Sequence, residues 1–337
     1  LQTGNLETTT WMPLIMLCMR RLALRGAWPA AAGAVAALAV AFFAGHPQTF
    51  LLIVYLAIAY FVFRGRYAGR SWAWIIGRMS VVLGLLMLVA SVQLLPQAQF
   101  LSISTRTRLP FDKLANGFAL SDLVQFLVTK TGPNDLWQPL YVGILGLVLA
   151  LLALPLRRNS TSLFWLVAGI VALLLTFGGN MVMYNVAYWI LPLFYLFRGQ
   201  EHAAVLVAMA ASTLAAMAAS VLLGPLLRRQ REVLDNSIRM LRNLTPLAFL
   251  LLVGSILLAQ HNFEEWGHLP ARLGLWVMGM LLTGLTLASR SLRRWFPALL
   301  VCVVALELFS ANMATNASPP FEPYPHLDML KPIKADA

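Results

Sequence analysis

Charged residues are scarce in this chain of 337 residues: Asp, Glu, Lys and Arg make up 11% of it, whereas 60% is hydrophobic. A soluble domain carries about 25% charged residues, so the composition excludes an ordinary water-soluble protein. Long apolar runs separate the few charges, and the mean hydropathy is +0.75. The sequence therefore predicts a polytopic membrane protein.

Cysteine is rare as well, and the motifs of several enzyme classes are missing. Cys18 and Cys302 both lie in apolar runs, which predicts two buried free thiols. The sequence has no Cys/His cluster with zinc spacing, no GxxxxGK[ST] nucleotide loop and no ordered Ser, His and Asp set. No metal site and no cofactor are therefore evident; a divalent metal stays open, although nothing in the sequence supports one.

Acidic residues are too few to balance the basic ones, which leaves a net charge of +12. Such a charge is typical of proteins that bind nucleic acid. Membrane proteins also collect Lys and Arg in their cytoplasmic loops. In this apolar chain the second explanation applies, so we expect a lipid bilayer and no nucleic acid among its partners.

The apolar runs predict an all-α, polytopic transmembrane bundle. A spanning helix needs about 20 mostly apolar residues, with a range of about 17 to 25. About nine segments are candidates, several of them short, with short or interfacial helices between them in the outer loops. The predicted spans are 27–44, 49–63, 73–95, 139–156, 163–177, 202–225, 244–260, 271–288 and 295–311.

Basic residues alternate between the connections and so predict the orientation. Seventeen of the 25 Lys and Arg residues fall in every second gap. By the positive-inside rule these gaps are cytoplasmic, and the loops 45–48, 96–138, 178–201, 261–270 and 312–337 lie outside. The cytoplasmic arginines are Arg20, Arg21, Arg25, Arg64, Arg66, Arg70, Arg78, Arg157, Arg158, Arg228, Arg229, Arg231, Arg239, Arg242, Arg290, Arg293 and Arg294.

Three further segments need an assignment. "TTTWMPLIMLCMRR" is either the inner end of a helix that begins upstream or a helix at the interface. Residues 226–243 predict a basic surface helix. Because the chain begins at Leu1 without Met or a signal segment, we expect a piece of a longer protein. Its residues 1–311 would form the multi-span domain, and 312–337 would begin an extracytoplasmic C-terminal segment.

Polar groups concentrate in the predicted outer loops. "AGHPQTF" places His46 and Gln48 between two apolar runs, as a tight turn that ends one helix at Gly45 and begins the next at Pro47. Arg198, Glu201 and His202 stand at the outer mouth of the segment 202–225, where they form either an ion pair with a neighbouring imidazole or a functional site.

The loop 96–138 and the last helix contribute the remaining candidates. "FALSDLVQFLV" predicts an amphipathic helix with Ser121 as its N-cap. Arg106 and Arg108 are reserve candidates: they either bind a phosphate group or are solvated near lipid headgroups. We expect the Glu307 carboxylate to face protein or water, with an outer arginine as its candidate partner.

Several of these motifs resemble the bacterial YfhO-like membrane proteins, which belong to the GT-C class of integral-membrane glycosyltransferases. The resemblance extends over most of the chain up to about residue 225. "GHPQ" and "FRGQE" are its most specific parts, although His202 stands where the family often has Arg and Gln99 where Glu is common. The motifs are "WMPLIMLCMRRLALRG", "AGHPQTF", "SVQLLPQAQF", "FALSDLVQFLV", "YVGILGLVLALLAL" and "LPLFYLFRGQEHAA".

The resemblance implies a transferase in the bacterial inner membrane that moves a sugar from a polyprenyl-phosphate carrier to a cell-envelope acceptor. It implies a catalytic base in an outer loop upstream of Leu1, so the catalytic residue stays unknown. We expect Arg198 to bind phosphate and His46 and Gln48 to line the substrate site, with Glu201 and His202 beside them. Two alternatives stay open: a transporter or flippase of envelope precursors, and a non-catalytic envelope-biogenesis protein.

Overall fold

The computed structural model describes residues 3–104, 111–127, 140–261 and 295–312, with a few isolated positions between 270 and 277. Within these residues helices are the only regular secondary structure and there is no strand, which confirms the predicted all-α class. Residues 313–337 and most of the predicted span 271–288 lie outside the described residues.

Twelve α-helices and four short 3₁₀ helices make up the described chain. The α-helices are α1 Thr3–Thr10, α2 Met12–Arg25, α3 Trp28–Phe43, α4 Pro47–Tyr67, α5 Trp72–Ile103, α6 Phe111–Leu114, α7 Ile144–Leu156, α8 Ser160–Thr176, α9 Val182–Ile190, α10 Ala204–Leu222, α11 Arg228–His261 and α12 Phe296–Asn312. The 3₁₀ helices are Leu120–Phe126, Gly178–Asn180, Phe194–Leu196 and Gln200–Ala203.

Side-chain caps fix where three of the long helices begin. The Ser71 hydroxyl accepts a hydrogen bond from the Trp74 amide at the start of α5, and the Asn159 side chain accepts one from Ser162 at the start of α8. At the start of α4, the His46 side chain accepts a hydrogen bond from the Thr49 amide. Each cap satisfies an amide that the first helical turn leaves without a partner.

The long helices run antiparallel and define two ends of the bundle. The histidine end is where α3, α5 and α8 finish and α4, α7 and α10 begin. The arginine end is where α2, α4, α7 and α10 finish and α3, α5, α8 and α11 begin. The buried residues of the helices between them are almost all apolar.

The ambiguous first segment runs from one end to the other as α1 followed by α2. Gly4 lies so close to the α3–α4 turn that a Cβ built on it would stand 3.0 Å from the Ala44 carbonyl oxygen. At the far end of α2, Arg70 donates a hydrogen bond of 3.0 Å to the Leu24 carbonyl. The buried Asn5 side chain accepts a hydrogen bond from Thr49 at 2.7 Å, which holds α1 against α4.

Helix α4 joins two groups of helices, α1–α5 and α7–α10. Toward the arginine end, Arg64 donates a hydrogen bond of 2.9 Å to the Thr161 hydroxyl at the start of α8. One turn away, the rings of Phe63 and Phe164 stack with centroids 4.7 Å apart. These contacts make α4 the helix through which the two groups are held in register.

Three described helices are long and apolar enough to cross a membrane: Pro47–Tyr67, Trp72–Ile103 and Gln200–Leu222. Shorter apolar helices occupy Trp28–Phe43, Ile144–Leu156, Ser160–Thr176 and Pro297–Phe309. Each of these seven falls on a predicted span. The structure therefore confirms apolar helices, three of them long enough to span, whereas the bundle of nine spans stays a prediction.

Several predicted boundaries were wrong. Helix α5 continues through Pro96 to Ile103, so the loop predicted from residue 96 begins later. The predicted surface helix 226–243 and the span 244–260 form the single helix α11. In the outer loop, Leu120–Phe126 is a 3₁₀ helix and Ser121 lies inside it rather than capping it. Cys18 is buried as predicted, whereas Cys302 is exposed on α12.

Glu307 reaches across from α12 and caps the start of α7. Its carboxylate accepts hydrogen bonds from the Ile144 amide at 2.5 Å and from the Tyr141 hydroxyl at 2.8 Å. Gly143 leaves space for it, because a Cβ there would lie 3.2 Å from the carboxylate. The described partner of Glu307 is therefore a helix N-terminus, which favours negative charge.

We expect Glu307→Gln to lower the free energy of unfolding by about 1 to 2 kcal/mol, because the amide keeps the size of the side chain but loses the charge at the N-terminus of α7. The measurement is denaturant unfolding of the purified protein in detergent. The matched control is Glu232→Gln, whose carboxylate makes an exposed i,i+4 pair with Arg228 and whose loss should change little. Equal effects of the two substitutions would contradict the capping role.

Candidate functional site

The turn before α4 and the turn before α10 meet at the histidine end. Gln48 is buried in the first turn of α4, and its side-chain amide donates a hydrogen bond of 2.9 Å to the Gly199 carbonyl. Nearby, the Tyr55 hydroxyl donates to the Pro192 carbonyl. The segments "GHPQ" and "FRGQE", which lie about 150 residues apart in sequence, are thus adjacent in the fold.

A third segment, residues 114–119, packs against the same place. The Phe118 amide donates to the Thr176 carbonyl at 2.8 Å, and the Gln200 amide donates to the Asn116 carbonyl at 2.7 Å. Gly117 makes this approach possible, because a Cβ on it would stand 2.4 Å from the Gly178 backbone. Residues 114–119 are therefore fixed to the site by backbone hydrogen bonds, a role the sequence analysis did not assign to them.

His46 and His202 face each other in the cluster, with ring centroids 4.7 Å apart in an edge-to-face arrangement. His46 Nδ1 accepts a hydrogen bond from the Thr49 amide, which requires this nitrogen to be unprotonated and places the proton of the neutral ring on Nε2. Burial lowers the pKa of His46 below its ordinary value, because desolvation disfavours the charged ring. His46 therefore enters the site as a neutral hydrogen-bond donor.

Glu201 is half-buried beside this pair. Its carboxylate lies over Gly199, where a built Cβ would stand 2.9 Å from Oε1. Its Oε2 is shielded from solvent and has no hydrogen-bond partner among the described residues. Gly199 adopts φ +78°, a left-handed conformation that glycine accepts without strain. The site thus contains a carboxylate oxygen that is available to accept a hydrogen bond from a ligand.

The predicted cations divide into two cases. Arg198 is exposed next to Gly199, and the predicted ion pair between Arg198 and Glu201 is absent from the described contacts. Arg106 and Arg108 lie outside the described residues. The structure therefore brings His46, Gln48, Glu201 and His202 together and leaves Arg198 at their edge.

A surface groove of about 420 Å³ opens beside the α3–α4 turn. Its polar groups come from Glu7 and Thr10, and its indole comes from Trp11. Helix α3 supplies an apolar wall. An indole face with a nearby carboxylate suits a ligand that has both an apolar face and hydroxyl groups. No three His, Cys, Asp or Glu residues of the described ranges are grouped closely enough to hold a metal ion.

Gln200 is the site residue that sequence reasoning missed. Its side chain is 2% exposed and donates hydrogen bonds to the Phe197 carbonyl at 3.2 Å and the Leu114 carbonyl at 3.4 Å. A buried amide with these partners positions the backbone of its neighbours. Its place between Gly199 and Glu201 in "FRGQE" was the one available signal.

We expect Gly199→Ala to destabilise the protein by about 1 to 2 kcal/mol, because alanine is strained at φ +78° and its Cβ would push the Glu201 carboxylate away. The melting temperature in detergent measures the effect. The control is Gly84→Ala on α5, where a Cβ meets nothing within 4 Å and alanine favours the helix. A Gly199→Ala variant as stable as this control would contradict the packing of the site.

Acidification should destabilise the protein partly through His46. The unfolded ring binds a proton as the pH falls below about 6.5, whereas the folded ring, with its lowered pKa, does not yet do so. The melting temperature should therefore decline between about pH 7.5 and about pH 5.5. His46→Asn keeps a capping acceptor for Thr49 but cannot titrate, so its decline should be shallower. An identical decline would show that His46 does not contribute.

Comparison of the chain with protein-family models, with characterised proteins and with solved structures finds no match.

Proposed function

We propose that this chain is the membrane part of a glycosyltransferase that moves a sugar from a polyprenyl-phosphate carrier to a cell-envelope acceptor, on the outer side of the bacterial inner membrane. The observation that carries the proposal is the contact between His46 and His202, with Glu201 beside them, at the mouth between the apolar helices α4 and α10. The two most specific motifs of the resemblance to GT-C enzymes, "GHPQ" and "FRGQE", meet there.

The reaction is a one-step displacement with inversion. The acceptor hydroxyl oxygen forms a bond to the anomeric carbon, the bond from that carbon to the phosphate oxygen breaks, and polyprenyl phosphate leaves with the electron pair. A carboxylate takes the hydroxyl proton. By the resemblance, this base lies in an outer loop upstream of Leu1, and the residues of the histidine end bind and orient the reactants.

Each polar group of the histidine end has a role in this proposal. The exposed Arg198 binds the phosphate of the carrier and stabilises its negative charge as it leaves. The Nε2–H group of His46 donates a hydrogen bond to an oxygen of the polyprenyl-phosphate sugar. The unpartnered Oε2 of Glu201 accepts hydrogen bonds from sugar hydroxyls. Gln48 is committed to Gly199, so it supports the site and contacts ligand only through its remaining groups.

The placement of buried ionisable groups favours this proposal over a transporter. Transporters place substrate and coupling ions near the bilayer midplane, at interrupted helices. Among the described residues, the buried ionisable side chains Arg64, His202 and Glu307 each stand near an end of their helix. The donor must be carried by a lipid, because no nucleotide-binding motif is present and nucleotide sugars are absent outside the membrane.

We expect Arg198→Ala to slow sugar transfer by about 100-fold, because one preorganised donor to a developing anion contributes about this factor. The assay follows labelled sugar leaving its polyprenyl phosphate in membranes that contain the full-length protein. The matched control is Arg158→Ala, which removes an exposed arginine at the opposite end of the bundle and should leave the rate unchanged.

Two results would contradict the proposal in different ways. If the wild-type protein transfers no sugar from any polyprenyl-phosphate donor, the activity itself is wrong. If transfer occurs and both arginine variants keep the full rate, the phosphate role of Arg198 is wrong while the activity stands.

A further inference from the structure

Between Glu7 and Asp112 the chain carries arginines without any acid to balance them. From Thr8 to Phe111 the sequence has nine arginines, no lysine and no Asp or Glu. Seven of these arginines belong to the described residues and all seven lie toward the arginine end: Arg20, Arg21, Arg25, Arg64, Arg66, Arg70 and Arg78. Helices α2–α5 and their loops therefore supply no carboxylate with which these cations could pair.

Two of the arginines use backbone carbonyls instead. Arg70 donates hydrogen bonds to the Ala23 and Leu24 carbonyls at 3.5 and 3.0 Å, which neutralises the C-terminus of α2. Arg66 donates to the Arg70 carbonyl at 2.8 Å. Both side chains are thus committed to the structure of the loop between α4 and α5.

Arg78 has no such acceptor. Its guanidinium lies 3.8 Å from the centroid of the Trp28 ring and 5.6 Å from that of Trp74. Its Nη1 is shielded from solvent and makes no hydrogen bond to any described residue. The indole faces stabilise the charge but accept no N–H in the guanidinium plane, so this donor is held in place without an acceptor among the described residues.

The position of Arg78 indicates where the acceptor comes from. It lies in the second turn of α5, about 9 Å along the helix axis from its start. Trp28 and Trp72 stand beside this turn with more than half of their surface exposed. Exposed indoles at the end of a span are typical of the membrane interface, where lipid phosphates lie.

We propose that Arg78, Trp28 and Trp74 form a binding site for the phosphate of an anionic phospholipid. A phosphodiester accepts the in-plane hydrogen bonds that the guanidinium offers and supplies the negative charge that helices α2–α5 lack. Arg66 and Arg70 also lie over indoles, at 5.0 and 4.8 Å, but both donate to backbone carbonyls. Arg78 differs from them because its buried Nη1 has no acceptor among the described residues. The site requires contact between the chain and anionic lipid but does not depend on sugar transfer.

The test uses the full-length protein in detergent, titrated with phosphatidylglycerol while its melting temperature is recorded. We expect phosphatidylglycerol to raise the melting temperature and phosphatidylcholine to have little effect. Arg78→Gln should weaken the apparent affinity for phosphatidylglycerol about fivefold or more. The matched control is Arg158→Gln, which removes an exposed arginine at the same end of the bundle and should bind this lipid as the wild type does.

Two further variants keep the result clear if Arg78→Gln folds poorly. Trp28→Leu leaves the charge of Arg78 and removes the ring under it, and Arg78→Lys keeps the charge without the planar donors. Both should weaken binding. Equal affinity in wild type and Arg78→Gln, an equal loss in Arg158→Gln, or the same stabilisation by inorganic phosphate at the same concentration would each overturn the proposal.

Discussion

The hydrogen bonds at the two ends of α4 hold the described chain in one arrangement. Gln48 bonds to the Gly199 carbonyl at one end, and Arg64 bonds to Thr161 at the other, about 24 Å away along the helix axis. Apolar side chains between these points pack well in several registers, because dispersion and burial have little directionality. Two polar contacts so far apart prevent α4 from sliding or rotating against α8 and α10.

The need to satisfy polar groups also explains why the polar and ionisable side chains lie at the ends of the helices. Helix midsections satisfy their own backbone groups and present apolar side chains, so a bilayer accepts them without further partners. Helix ends leave amides and carbonyls unsatisfied, and side chains of other segments supply their partners. Glu307 at the start of α7 and Arg70 at the end of α2 are examples. At the histidine end this demand also brings together His46, Glu201 and His202.

Local signals predicted the helices, but not the partners of their polar groups. The apolar runs and the turn at Gly45 and Pro47 predicted the bounds of α3 and α4 to within a few residues. These bounds are set by residues that are close together in the sequence. Boundaries were missed where the helix continues through a proline, as α5 does at Pro96. The contact of Gln48 with Gly199 spans 151 residues and that of Glu307 with Ile144 spans 163, so periodicity and capping rules contain no information about either.

Side-specific labelling tests most directly whether the two ends face opposite sides of a membrane. With Cys18 and Cys302 replaced by alanine, single cysteines would be introduced as Val182→Cys, at the histidine end, and Ala68→Cys, at the arginine end, both at exposed positions. Intact cells would then be treated with a membrane-impermeant maleimide. The account predicts labelling at position 182 in intact cells and at position 68 only after permeabilisation. Labelling of both positions in intact cells, or the reverse pattern, would contradict it.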